Sequence, residues 1–220
     1  MTRTKIEEPV KAPKRPSDDV KREREIGKFL SNSGLGKTGL MKVFENFEER
    51  DTKNFNQTTI KKVLTKWADT YLKNLNAKGI YLYGPPGVGK THLICAVVNR
   101  LIRKHLAFAY FLKIGDIPRN DQTVLDELCD PGLYPVLVLD DLGSEKLTER
   151  MLEILFRIVD SRMWRCGPTL FTSNLSLDEL SSRIDSSEFA WSGWGQRLSG
   201  RLRESCHILF LEGLDARKGM

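Results

Sequence analysis

The 220-residue sequence predicts an α/β fold, a three-layer sandwich in which helices cover both faces of a five-stranded parallel sheet. Three observations lead there. Short runs at 80–83, 108–112, 136–139, 169–172 and 208–211 are mostly apolar at consecutive positions instead of alternating, the pattern of strands buried on both faces. Helical patterns at 91–105, at 148–163 and in a shorter stretch beginning near Asp178 separate them, and parallel neighbours need such crossovers. A glycine-rich turn joins the first of these runs to the first of these helices.

Composition limits the class. Hydrophobic residues at 40% and charged residues at 29% describe one soluble globular domain with an appendage. Residues 1–15 are charged where a signal peptide would be apolar, and no apolar run approaches the roughly 20 residues that span a bilayer. A cytoplasmic protein with no membrane partner is expected. Cys95, Cys129, Cys166 and Cys206 are widely spaced with no Cys-x-x-Cys pair, which favours buried thiols over a zinc or redox centre. A net charge of +6 would suit a polyanionic partner, although the basic excess is diffuse.

Along the chain, residues 1–33 hold Pro9, Pro13 and Pro16 among charged side chains, so a mobile tail is expected, with a short helix over 18–30 and a candidate role in partner docking. Residues 34–78 hold a lead-in segment and an amphipathic helix: Ile60, Val63, Leu64, Trp67, Ala68, Tyr71, Leu72 and Leu75 recur at helical spacing, Thr58 or Thr59 offers a cap, and Lys61, Lys62 and Lys66 form its wet face. Residues 79–220 form the α/β core. There is no internal repeat.

The segment Gly84-Pro85-Pro86-Gly87-Val88-Gly89-Lys90-Thr91 matches Gly-x-x-x-x-Gly-Lys-Thr between strand and helix, which makes the fold a P-loop NTPase. Its glycines let the backbone wrap until N–H groups face phosphate oxygens, in conformations a β-carbon hinders. Lys90 then sets a point charge against the β and γ phosphates of ATP, Thr91 offers its hydroxyl to Mg2+, and the helix N-terminus adds positive potential. His92 follows directly and is grouped with the nucleotide-binding residues; a lone histidine on an apolar helix otherwise reads as packing, as do His105 and His207.

The run 136–139 ends in Asp140 and Asp141, which would emerge at the C-terminal sheet edge where open α/β folds bind ligands. Asp140 is the expected metal ligand and Asp141 the residue that orients or deprotonates the attacking water, with Glu145 as a weaker alternative. If the strand at 169–172 lies between the phosphate-loop strand and the Asp140 strand, Asn174 reaches the γ-phosphate; otherwise Ser173 and Asn174 are a turn and helix cap. Trp191 and Trp194, beside Phe189, either stack on single-stranded bases or seal the sheet edge.

These motifs, together with Phe44-Glu-Asn-Phe47 and the arginine-rich Gln196-Arg-Leu-Ser-Gly-Arg-Leu-Arg203, resemble AAA+ ATPases over about residues 40–217, and most of all the DnaC/DnaI replicative-helicase loaders and the related IstB transposition ATPases. The resemblance implies that Asn174 is the sensor 1 residue and that Arg201, with Arg197 as runner-up, is a finger completing a neighbouring subunit's site, so that the protein self-associates. It implies a replicative DNA helicase and single-stranded DNA as partners. The chain departs from the wider AAA+ pattern in showing no C-terminal helical lid and no sensor 2 arginine, Arg217 lying too near the end, while 115–132 is short for an inserted DNA-contacting helix. An IstB-like transposition helper, a P-loop small-molecule kinase and a nonhydrolysing switch are the alternatives.

Overall fold

The computed structural model describes residues 18–50, 55–74, 77–144, 147–186 and 193–215. Strands β1 (Gly79–Tyr83), β2 (Ala109–Lys113), β3 (Val136–Leu142), β4 (Thr169–Ser173) and β5 (Cys206–Phe210) form one parallel sheet in the order β2-β3-β4-β1-β5. β4 therefore lies between β1 and β3, the condition on which a γ-phosphate role for Asn174 depended.

Alternate strand residues feed two cores, which is why these runs are apolar at consecutive positions. Ile80, Leu82, Val138 and Leu170 face α4 (Lys90–His105), backed by Leu64 of α3 (Gln57–Thr70) and Ile26 of α1 (Asp18–Asn32). Tyr81, Leu137, Leu139 and Phe171 face the other way, onto α6 (Glu149–Trp164), α7 (Leu177–Asp185) and α8 (Trp194–Ser205). Two short helices complete the layers, α2 (Gly36–Leu40) beside α4 and α5 (Gln122–Leu128) before β3.

Several expectations need correction. The short helix expected over 18–30 is α1, but it is docked instead of mobile: Ile26 is buried, Phe29 and Leu30 pack on the core, and the Arg22 guanidinium donates to the Arg103 and Lys104 carbonyls at the end of α4. Residues 1–17 lie outside the described residues. The N-cap of α3 is Asn56 instead of Thr58 or Thr59, and its side chain is engaged elsewhere, donating to the Phe210 carbonyl at 2.7 Å and accepting from the Glu212 amide at 3.0 Å. The helix ends at Thr70, short of Leu75, which lies outside the described residues. Ser173 and Asn174 are not the cap of α7; Ser176 is, in a reciprocal pair with Glu179. Three thiols are buried, but Cys166 is exposed in the turn after α6 at φ +55°. Among the described residues, no helix is long and apolar enough to cross a membrane.

A buried arginine fixes the end of the sheet opposite the strand-end carboxylates. Arg162 of α6 is fully buried and donates to Thr169 Oγ1 at 2.9 Å and to the Tyr134 and Pro168 carbonyls at 2.9 and 3.1 Å. Those acceptors lie at the starts of β3 and β4, so one guanidinium satisfies the chain on both strands where they enter the sheet.

Candidate nucleotide site

The phosphate loop leaves β1 at Tyr83 and enters α4 at Lys90. Gly84 lies against the Leu211 carbonyl, where a β-carbon would collide. Gly89, the residue before α4, holds φ +99° with the Phe47 ring beside it, so a side chain there would be strained and crowded at once. Pro85 and Pro86 are exposed, Gly87 and Thr91 half-buried, and Val88 is buried. The Lys90 ammonium, on a residue only 8% exposed, donates to the Gly84 and Pro85 carbonyls at 2.8 and 2.7 Å and to Asn174 Oδ1 at 2.8 Å. The helix behind it is 16 residues long, enough for a full macrodipole at the cradle.

Asp140 sits two strands away and meets the same cradle. Thr91 Oγ1 donates to its carboxylate at 3.0 Å, and Thr172 Oγ1 of β4 donates to it at 2.6 Å. Burial pushes the Asp140 carboxyl above the usual carboxylate range, while the Thr172 and Thr91 hydroxyls hold it down. The next residue departs from strand geometry: Asp141 has φ +69°, the β3–β4 register slips between Leu139 and Leu142, and the Asp141 amide donates to Thr172 Oγ1 at 2.9 Å. A left-handed non-glycine residue costs about 1 kcal/mol or more. It leaves Asp141 exposed on the cleft beside Asp140.

Lys90, Thr91, Asp140, Asp141 and Asn174 thus line one cleft of about 780 Å³, large enough for a small-molecule ligand. His92 borders it too. Its Nε2 lies 3.0 Å from the Val43 carbonyl and 3.1 Å from Asn46 Oδ1, its ring meets Phe47 edge-on, and burial lowers its pKa. A second cleft of about 180 Å³ on the other side of Gly87, Val88 and Gly89 is walled by Phe47, Gln57 and Leu214.

Arg197 and Arg201 line neither cleft. Arg201 pairs with Asp160 at 2.9 Å and with Glu204 at 3.2 Å, and Arg197 lies over the rings of Trp194 and Phe156, 4.6 and 4.9 Å from their centroids. Trp194 is therefore a packing residue of the α6–α8 surface, while Glu145, Phe189, Trp191 and Arg217 lie outside the described residues. Sequence reasoning missed Thr172, which joins Asp140 to the Asp141 backbone; its only signal was a hydroxyl in a run otherwise apolar from Leu170 to Phe171. It also missed Lys42, Thr38 and Lys113, which line the larger cleft and carry no motif.

A phosphate loop on β1, a strand-end aspartate on β3 and a polar residue ending the strand between them define an ATP-binding protein of the AAA+ P-loop class. The chain belongs to the IstB-like ATP binding protein family, whose model matches residues 18–219. It is 30% identical over 176 residues to the replicative helicase loader DnaI of Bacillus subtilis (strain 168), an alignment covering 76% of this chain and 54% of DnaI. A crystal structure of the DnaC helicase loader superposes with a TM-score of 0.64 at 26% identity, covering 80% of this chain and 100% of that one. A crystal structure of DnaI gives 0.66 at 23% identity, covering 81% and 92%. The chain spans about half the length of the curated loaders it matches, 54% of DnaI and 51% of the Escherichia coli (strain K12) DnaC.

Proposed function

We propose that the chain binds ATP with Mg2+ and hydrolyses it, and that it does so as an oligomeric loader of a replicative DNA helicase on single-stranded DNA. The observation that carries the chemical part is the convergence of Lys90, Asn174, Thr91 and Asp140 from three elements onto one cleft. The donor set fits the metal: a carboxylate and a hydroxyl 3.0 Å apart, oxygens only, suit a hard cation. Magnesium held by Thr91 and Asp140 supplies neutralising charge to the phosphate oxygens.

Lys90 binds the β and γ phosphates, exchanging its loop carbonyls for anionic oxygens, and Asn174 donates its amide to the γ-phosphate or the attacking water. Asp141 orients that water and takes its proton as the oxygen bonds to the γ-phosphorus; the bond to the bridging oxygen breaks and ADP leaves with the electron pair. The adenine would be taken by the 180 Å³ cleft beside Phe47 and Gln57. Arg201, with Arg197 as the alternative, acts on a neighbouring subunit's γ-phosphate, which requires the Arg201 pair with Asp160 to open.

The likeness to DnaI and DnaC supports the helicase partner; the stretch 1–33 is the candidate segment for docking on it. The match to the IstB-like family supports a second reading in which the same ATPase serves a transposase on duplex DNA. Titration with Mg-ATP tests the chemistry: Lys90→Ala abolishes binding, whereas Arg201→Ala leaves it nearly intact and cuts turnover. Equal loss of binding in both variants refutes the trans role. Co-purification in ATP with a replicative helicase supports the loader; retention of a transposase instead moves the assignment to the second reading.

A further inference from the structure

The larger cleft continues past the residues that a nucleotide and its metal would use. Lys90, Thr91 and Asn174 mark its end near β1 and β4, and Asp140 stands on β3. β2 lies one strand further out, ~4.8 Å away, and its last residue, Lys113, is in register with Asp140. The same cleft is lined by Thr38 of α2 and by Lys42 just after that helix. Among the described residues, neither the Lys42 nor the Lys113 ammonium makes a direct hydrogen bond or ion pair, and Lys113 acts on the Asp140 carboxyl through its charge. Two cations and a hydroxyl therefore line one open cleft next to the strand-end carboxylates, and nothing in the nucleotide chemistry above uses them.

We propose that Lys42, Lys113 and Thr38 form a separate oxyanion subsite that takes inorganic phosphate. The proposal rests on the ATPase reading for its biological source, since hydrolysis in this cleft would free orthophosphate beside Asp141. The chemistry itself needs only the cleft. Three lysines against two aspartates line it, so once Lys90 and Asp140 are engaged by nucleotide and metal, the charge left for a second anion is two ammoniums against the Asp141 carboxylate. A doubly charged phosphate placed between two ammoniums gains charge-assisted hydrogen bonds, with the Thr38 hydroxyl filling a further oxygen. Asp141 lies beside this path and repels the ion, which favours transit over tight retention. The subsite is an exit station for product.

Binding of labelled orthophosphate to the full chain, measured by equilibrium dialysis with and without Mg-ADP, tests this. The expected result is one phosphate per chain at millimolar affinity, on the order of −4 kcal/mol, retained in Lys90→Ala. In a Lys42→Ala, Lys113→Ala double variant the affinity falls about ten-fold or more, while Mg-ADP affinity stays within about two-fold. Thr38→Val, which leaves both charges, lowers phosphate affinity by a smaller factor and guards against a folding artefact. Loss of phosphate binding in Lys90→Ala with none in the double variant places the ion in the phosphate loop and overturns the proposal. So does a wild-type chain that takes up no phosphate at about 50 mM, or a double variant that loses oligonucleotide binding and nothing else, which assigns the lysines to a nucleic-acid backbone. Absence of Mg-ADP binding in the wild type is read independently and counts against the ATPase assignment alone.

Discussion

Thr172→Val removes one oxygen and tests how the carboxylate pair is held. The Thr172 side chain is 1% exposed, donates to Asp140 Oδ1 at 2.6 Å and accepts the Asp141 amide at 2.9 Å. Valine keeps its shape and makes neither bond. Losing a hydrogen bond to a charged group costs about 1.5–3 kcal/mol, and leaving a buried amide without an acceptor about 1–3 kcal/mol. Asp140 keeps its bond from Thr91 and the Asp141 amide can relax toward water, so the net destabilisation is about 2–4 kcal/mol. At roughly 2–4 °C per kcal/mol for a chain of this size, the melting temperature falls by about 5–15 °C. The functional signature is separate. Thr172 is the first of the groups holding the Asp140 carboxyl down against burial, so its loss moves that pKa further up. A carboxylate must be ionised to hold Mg2+, and the acidic limb of Mg-nucleotide binding shifts to higher pH. The folded state already takes this proton more readily than the unfolded chain, so between the ordinary carboxylate value and the raised one stability falls as pH rises, and the variant widens that window. Urea unfolding and Mg-ADP titration between pH 5 and 8 are the assays. A loss below about 0.5 kcal/mol together with an unmoved acidic limb refutes the reasoning.

Other predictions follow from single clusters. Asp69 is held well below the ordinary carboxylate range, first by the Arg100 guanidinium at 2.8 and 2.7 Å and also by His105 and Lys104; Asp69→Asn lowers stability at pH 7 by about 1–2 kcal/mol, and the deficit shrinks as pH falls below about 4 toward the folded-state value, which an acid titration of both proteins reads. Arg162→Met strips the carbonyls at the starts of β3 and β4 of their donor and costs about 3–5 kcal/mol in urea unfolding, with nucleotide affinity unchanged in the folded fraction. Burial pushes the Cys95 and Cys206 thiols up to about 12, so one thiol per native chain, Cys166, reacts rapidly with a disulfide reagent, and Cys166→Ser removes that fast phase. A chain beginning at Asp18 unfolds cooperatively, whereas one beginning at Phe55 loses the buried Ile26, Leu35, Phe44 and Phe47, at about 1.5–3 kcal/mol each, and exposes the α4 face in dye-binding assays.

What was legible in the sequence was what depends on neighbours along the chain. The phosphate loop carries its own geometry because glycine and lysine spacing within 84–91 fixes which atoms converge, and continuous apolar runs fix which segments are strands. The order of strands was not written in any one segment; it had to be supposed before Asn174 could be placed, and β4 between β3 and β1 brings that residue to the Lys90 ammonium. The backbone of Asp141, a residue the sequence did single out, is illegible for a different reason. Its left-handed backbone is imposed by a register slip against β4 and by the Thr172 hydroxyl, both long-range, and nothing local distinguishes it from an ordinary strand residue. Helix α1 was legible as a helix but not as a docked one, because its composition is that of a solvated segment; of its residues only Ile26 is buried, and Arg22 acquires its role from the end of a helix 81 residues away.

That last contact shows how the site is supported. Helix α4 carries Lys90 and Thr91 at one end, and over its 16 residues it runs ~24 Å to the carbonyls that Arg22 caps. Between those ends Asn99 donates to the Gly39 and Lys42 carbonyls at 3.0 and 2.9 Å, which holds α2 and the Lys42 wall of the cleft, and the Nε2 of His92 sits against Val43 and Asn46, which hold the Phe47 ring against Gly89. Asp69 ties α3 to the last turn through Arg100, Lys104 and His105. Each of the α-helices N-terminal to β1 is thus tied to the one helix whose first turn carries Lys90 and Thr91. The segment before β1 therefore belongs to the site structurally: it holds α4 at both ends and in the middle, and it supplies Thr38, Lys42, Phe47 and Gln57 to the walls of the two clefts.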